Sequence, residues 1–210
     1  MSFLVPANRM PIPEYQPTAA KIAMMFGGIT MQEVPGAIIR GGSSEGARFA
    51  LRSLTELVRA RGGTVTDPMK GIAILGEEEI GWHIDRRPDA SLLTVHLHHT
   101  VEGCVKAELA VPRPGLWMPE RGIDFSTLPD GLQRQLDGGM VDDDLFEPTI
   151  YTTDPPRLTA AGSSEVRGLG VDDILVFTVG GLKPTAHRFT NLEGPRRSAL
   201  YVATLPAGQA

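Results

Sequence analysis

The stretch HRFTNLEGPRRSAL, residues 187–200, decides how this fold is read. Residues 186–190 and 198–205 have the composition of strands, and NLEGP (191–195) between them has turn chemistry. With an even-numbered loop they form a hairpin in which His187 lies roughly opposite Ser198, with Arg196 on the same side. Such a face offers an imidazole that can ligate a metal, a guanidinium that can grip a carboxylate bidentately, and a hydroxyl that adds a hydrogen bond. Arg188 and Arg197 then point the other way, to solvent or an outer layer. The plainer alternative is an edge hairpin with exposed charges.

A second stretch, GWHIDRRPDASLLTVHL (81–97), answers the first. Residues i and i+2 of a strand share a face, so His83 and Asp85 present an imidazole and a carboxylate side by side. One further His completes the 2-His-1-carboxylate face that suits non-haem Fe(II) and leaves coordination positions open. Read alone, the pair fits equally a solvated His and Asp on a surface strand.

Around these stretches the chain reads as short strands. Segments 71–75, 80–85, 92–98, 104–111, 174–179, 186–190 and 198–205 alternate or run apolar, and Gly, Pro, Asp or Asn bounds each. That pattern predicts a mainly β sandwich or barrel of jelly-roll type with helices outside. One amphipathic helix is expected over 46–60. Ala47, Ala50, Leu51, Leu54, Leu57 and Val58 fall on one face, Arg48, Arg52, Glu56 and Arg59 on the other, and Gly62-Gly63 stop it. Residues 1–20, with four prolines, read as an extended arm over the domain. Residues 112–156 read as a long insertion, a lid or a solvated excursion, with a short helix near 128–136. Its Trp117, Phe125, Phe146 and Tyr151 either line an aromatic pocket or anchor the loop.

The bulk numbers agree with one domain over 1–210: the chain has 210 residues, 41% hydrophobic, enough for a sizeable core. Its 24 Gly and 17 Pro favour turn-rich β architecture over a helical bundle. A net charge of −5 with no long Lys/Arg run disfavours nucleic acid as a partner. Cys104 stands alone, so no intrachain disulfide is available and secretion gains no support. The prolines of MSFLVPANRMPIP break any signal-peptide core, and no run approaches the roughly 18 apolar residues of a membrane span. The expectation is a cytoplasmic enzyme or binding protein that acts on a small molecule.

Taken together, the stretches resemble the Fe(II)/2-oxoglutarate-dependent dioxygenase superfamily. Its members share a double-stranded β-helix, a distorted jelly roll that holds the metal between two sheets. His83-Ile84-Asp85 matches the family's His-x-Asp. DDILVFTVGGLKPTAHRFTNLEGPRRSAL (172–200) looks like its closing strands, with Arg196 nine and Ser198 eleven positions after His187. SLLTVHL (91–97) looks like the strand after the motif, and GEEEIGWHID (76–85) is similar to the approach to the metal in prolyl-hydroxylase-like and demethylase-like branches. The resemblance covers roughly 71–111 and 170–205. It implies that His83, Asp85 and His187 hold Fe(II) and that Arg196 and Ser198 bind the far carboxylate of 2-oxoglutarate. With O2, a small-molecule substrate is hydroxylated or otherwise oxidised, and succinate and CO2 are released. His96, His98 and Trp117 become candidates for lining the substrate pocket. The chain departs from the pattern in its long gap between Asp85 and His187 and in lacking the usual upstream Tyr.

The same histidines support a second resemblance. HLHHTVEG (96–103) contains His96-x-His98-x-x-x-Glu102, the ligand spacing of cupins, and KPTAHRFTN (183–191) looks like their second motif. That implies a metalloenzyme using His96, His98, Glu102 and His187 without 2-oxoglutarate. Against it, Ala90 and Leu109 stand where cupins carry framing glycines, and Arg196 and Ser198 go unexplained. A third class is a non-catalytic jelly-roll binding protein.

Overall fold

A computed structural model describes residues 8–30, 35–66, 80–83, 92–112, 146–153, 157–158, 164–165, 168–179 and 185–206. In chain order the elements are β1 (Asn8–Pro11), β2 (Glu14–Tyr15), α1 (Ala19–Thr30), β3 (Gly36–Arg40), α2 (Ser44–Ala60) and β4 (Thr64–Val65). Then come β5 (Ile80–His83), β6 (Leu92–Pro112), β7 (Phe146–Thr152), β8 (Arg157–Leu158), β9 (Ser164–Glu165), β10 (Asp173–Thr178) and β11 (Ala186–Pro206). The fold is mainly β: a strongly curled mixed sheet, a half-barrel, with two helices. None of the helices among the described residues is long and apolar enough to cross a membrane.

Two long strands make the curl. β6 and β11 pair antiparallel from Ala186↔Ala110 at one end to Pro206↔Leu92 at the other. The first half of β6 also pairs with β10, which continues into β3 and β2, while the second half of β11 carries β4. The second half of β6 pairs with β7, which carries β1, and the first half of β11 carries β5. Each long strand therefore serves both halves of the half-barrel and bends between them. At the bend, register shifts fall between Asn191, Glu193, Arg197 and Ser198, and Gly103 sits opposite at φ 80. Bulges raise local twist, and a left-handed backbone favours glycine, so bulge and glycine together turn the sheet.

Several expectations are corrected here. The hairpin over 187–200 does not form; both flanks belong to the one strand β11, and Ser198 pairs with Thr100 rather than His187. The turn chemistry of Gly194-Pro195 is absorbed as a bulge, because pairing both flanks with β6 satisfies a far longer ladder than an isolated hairpin would. Likewise 92–98 and 104–111 are one strand. The N-terminal arm is in part sheet, since β1 pairs parallel with β7 and β2 parallel with β3. The segment 112–156 ends in sheet as well, as β7, whereas the helix near 128–136 and the strand over 71–75 lie outside the described residues.

The side chains alternate between two apolar layers. Leu93, Val95 and Leu97 of β6, Ile174 and Val176 of β10, and Ala203 and Leu205 of β11 pack against Ile22, Met25 and Phe26 of α1 and Ala47, Ala50, Leu54 and Val58 of α2. Val105, Ala107, Leu109, Leu175, Phe177 and Phe189 form the second layer, inside the curl. Helix α2 follows its sequence reading: Ser43 caps it by accepting from Gly46 N–H at 3.1 Å, and Gly62 at φ 75 ends it. Helix α1 was not anticipated, because Gly27-Gly28 interrupt its pattern; Ile22, Met25 and Phe26 nevertheless keep the i, i+3, i+4 spacing of a buried face.

Ion pairs tie the edges to the sheet. Buried Arg40 donates to Gly168 O (2.9 Å), Asp173 Oδ2 (2.6 Å) and Glu14 Oε1 (2.7 Å), which links β3, β10 and β2. Burial alone would lower its pKa, but Glu14 and Asp173 outweigh that and raise it, so the guanidinium stays charged. On the outer face, buried Glu108 accepts from Arg9 and from Arg188 Nε at 2.7 Å, with Lys106 at 3.5 Å. Its burial opposes ionisation, yet the arginines prevail and hold its pKa below the usual range.

Leu54→Ala should cost about 2–5 kcal/mol in urea unfolding, because Leu54 is fully buried between α2 and the sheet. Glu108 has a depressed folded-state pKa, so its stabilisation is present above the unfolded carboxyl pKa and is lost as pH falls through the folded value. Glu108→Gln should therefore lose about 1–2 kcal/mol at pH 7, a figure discounted for the partial exposure of its arginines. The gap to the parent protein should narrow as pH falls from the ordinary carboxyl pKa through the lower folded-state value; a constant gap across pH would contradict the ion-pair account.

Candidate functional site

The inner face of the curl gathers the chemistry. Leu93, Val95 and Leu97 face the helices, so the intervening His96 and His98, and Thr100 beyond them, take the opposite face of β6. By the same alternation on β11, Tyr201, Ala203 and Leu205 face the helices, and Ser198 lies on the inner side. In the other half, Val105, Ala107 and Leu109 are inside, and Phe189 and His187 come from the neighbouring strand, in register with Ala107 and Leu109. Arg188, between them, turns outward to Glu108, as its parity predicts, and Arg197 is exposed.

His187 is 3% exposed, at the start of β11. Its Nδ1 lies 3.3 Å from the carbonyl of Thr185. A carbonyl only accepts, so Nδ1 carries the proton in this contact, and a neutral ring in that tautomer has its lone pair on Nε2. Backbone carbonyls orient metal-ligating imidazoles in this way. In register, the Cα partner of His187 on β5 is His83. The two candidate ligands, far apart in sequence, thus occupy directly opposed backbone positions.

Aromatic rings bridge the two halves of the sheet. Phe177 of β10 is tilted against His187 at 4.7 Å and meets His96 edge-on at 5.5 Å. Phe189 stacks on His98 at 4.6 Å and contacts His187 at 5.8 Å and Phe177 at 6.4 Å. This wall gives the buried imidazole an apolar surround that keeps water from its ring.

Beyond the wall lie two hydroxyls. Ser198 (3% exposed) and Thr100 (0%) are Cα partners across β11 and β6. Both are buried, and neither Ser198 Oγ nor Thr100 Oγ1 has a hydrogen-bond partner among the described residues. Buried hydroxyls are normally bonded, and orphaned ones ask for a ligand or for strain as explanation.

The positions singled out from sequence divide as follows. His187, Ser198, His96 and His98 all lie on the inner face. His83 is placed by its backbone alone, opposite His187; Arg196 lies within the bulge of β11, where likewise only the backbone is described. Asp85 and Trp117 lie outside the described residues. The cupin set does not assemble: Glu102 is exposed at the bend, Phe177 contacts both His96 and His187, and no group of three or more His, Cys, Asp or Glu among the described residues is arranged to hold a metal. Thr100, Phe177 and Phe189 were not picked out from sequence. Alternation from His96 and His98 was the available signal for Thr100; the two Phe sat in apolar strands that read as core. No known family model matches the chain, and no curated protein matches it.

Proposed function

We propose that the chain is an Fe(II)- and 2-oxoglutarate-dependent oxygenase of a small molecule, built on a double-stranded β-helix. The observation that carries this reading is the register of β5 on β11, which sets His83 opposite His187. Residues opposed on antiparallel strands share a face with Cβ atoms about 4.5–5.5 Å apart, within reach of one ion. A carboxylate two positions on, Asp85, is the natural third ligand. The strand order supports the architecture. One half of the curl aligns β4, β11, β6 and β10, the other β5, β11, β6 and β7; counted by halves these are the eight strands of a jelly roll.

The residues present fit both groups. His83, Asp85 and His187 would hold the metal, with the Thr185 carbonyl fixing the His187 ring. Arg196 and Ser198 would take the far carboxylate of 2-oxoglutarate, and the buried Ser198 hydroxyl, without a partner among the described residues, suits that role. Bound iron and 2-oxoglutarate supply the oxidising power, with O2 consumed and succinate and CO2 released. The protein would orient its ligands, exclude water with Phe177, Phe189 and the flanking imidazoles, and offer His96 and His98 to the substrate, with Trp117 as the further candidate the sequence names. A net charge of −5 favours a small molecule over a nucleic acid, and we place the protein in the cytoplasm.

Anaerobic titration with Fe(II) and 2-oxoglutarate should produce a weak visible charge-transfer band that needs both components. Asp85→Ala should abolish the band and coupled turnover. Arg196→Ala should keep metal binding but raise the 2-oxoglutarate requirement roughly 30-fold or more, the usual cost of removing one partner of a buried charge pair. Metal binding indifferent to 2-oxoglutarate, or wild-type 2-oxoglutarate turnover in both variants, would overturn the proposal.

A further inference from the structure

The solvent face of α2 carries a charge pattern that the proposed site does not use. Glu45, Arg48, Arg52, Glu56 and Arg59 are all exposed, on the side of the helix away from buried Ala47, Ala50, Leu54 and Val58. Their spacing runs three, four, four, three, so it reads the same from either end, with Arg52 at its centre. The signs reverse instead: read backwards, each acid falls on a base and each outer base on an acid. A second α2 laid antiparallel across the first therefore sets Glu45 against Arg59 and Arg48 against Glu56, twice over by symmetry. A parallel two-fold would set every charge on its like, and no other antiparallel register pairs both acids. Arg52 meets its own copy at the axis, flanked by Glu56 of the other helix one turn away.

These charges are uncommitted within the molecule. Positions 45 and 48, 52 and 56, and 56 and 59 have the spacing for ion pairs along one helix, yet none forms; Arg48 only donates back to Ser44 O at 3.0 Å. Apolar surface lies beside them. Phe49 is 42% exposed, and Met24 of α1, the helix packed against α2, is 59% exposed. We infer that this helical face is a self-recognition surface whose partner is a second copy of the chain, docked through an antiparallel, two-fold α2–α2 contact. The charges fix its register, and the apolar side chains supply area that exposed ion pairs, weak singly, do not. A helix of 17 residues spans only about 25 Å, so the contact is small and the dimer dissociates readily. The inference is independent of the proposed metal site, which belongs to the inner face of the curl.

Sedimentation equilibrium of the full chain tests it. Wild type should dimerise reversibly in the micromolar range at about 50 mM salt, and about tenfold more weakly at about 0.5 M, where exposed charges are screened. By symmetry Arg48→Glu turns two attractive contacts repulsive, and Glu56→Arg does the same; each should weaken the dimer about tenfold or more. The double swap Arg48→Glu/Glu56→Arg should restore it to within about threefold of wild type. Positions 48 and 56 lie about 12 Å apart along one helix, too far to pair within it, so rescue reports a contact between copies. Circular dichroism checks that each variant folds, and Glu45→Arg with Arg59→Glu repeats the cycle on the outer pair if one does not. Wild type that stays monomeric at low salt up to about 0.5 mM overturns the inference. Single swaps that dimerise like wild type, or a double swap that fails to rescue, overturn it equally.

Discussion

The antiparallel ladder between β6 and β11 is the constraint on which everything else depends. Because each strand serves both halves of the half-barrel, one register decides which side chains meet the helices and which line the curl. A slip of one residue would send Leu97 inward and His98 under the helices, exchanging apolar for polar at every position. The bend needs a defect on each strand. Pro195 lacks the N–H of a regular ladder, and Gly103 adopts a backbone that other residues resist. Residues that look like a hairpin turn are, in this fold, the hinge of a corner.

The ladder also explains why the inside of the curl holds groups that cost stability. A buried hydroxyl without a partner costs about 1–3 kcal/mol, and Ser198 and Thr100, at opposed positions, have none among the described residues. The layer facing the helices is filled mostly with hydrocarbon from Ile22, Phe26, Leu54, Val95 and Leu97, although Arg61, over the Phe26 ring, buries an Nη1 with no partner among the described residues. Breaches of local packing rules cluster at functional sites, and two of them at directly opposed positions of β6 and β11 are a physical reason to look for a ligand there.

Much of this was legible in sequence because its signals are local. Helix α2 announced itself through an apolar stripe and glycine stops, and β10 through an uninterrupted apolar run. That His96 and His98 share a face, and that Arg188 points away from the side of His187, followed from strand alternation. What was not legible depended on partners remote in sequence. Whether 191–195 turns a hairpin or bulges a long strand is settled by β6, about 90 residues earlier, and no local composition reveals that competition. Helix α1 was hidden for the opposite reason: tertiary burial of Ile22, Met25 and Phe26 overrides a poor local propensity at Gly27-Gly28. Within the site, Ser198 stood out through its resemblance to a motif. Thr100 could emerge only once its opposite number was known.

Charge bookkeeping gives the adjacent arginines of the bulge different meanings. A dicarboxylate can enter an acidic protein only where positive charge is not already neutralised. Arg40 is committed to Glu14 and Asp173, and Arg188 to Glu108, which also holds Arg9 and Lys106. Arg197 is exposed and stands in register with exposed Glu102, where water screens its charge. These guanidiniums are therefore poor sources of attraction for an anion inside the curl. In the proposed site, that attraction falls to the metal and to position 196, two residues before the buried Ser198. A bulge suits this task, since it re-aims a side chain without moving the strands on either side. If Arg196 holds the proposed cosubstrate, the same distortion that turns the corner of the sheet would also set it apart from exposed Arg197.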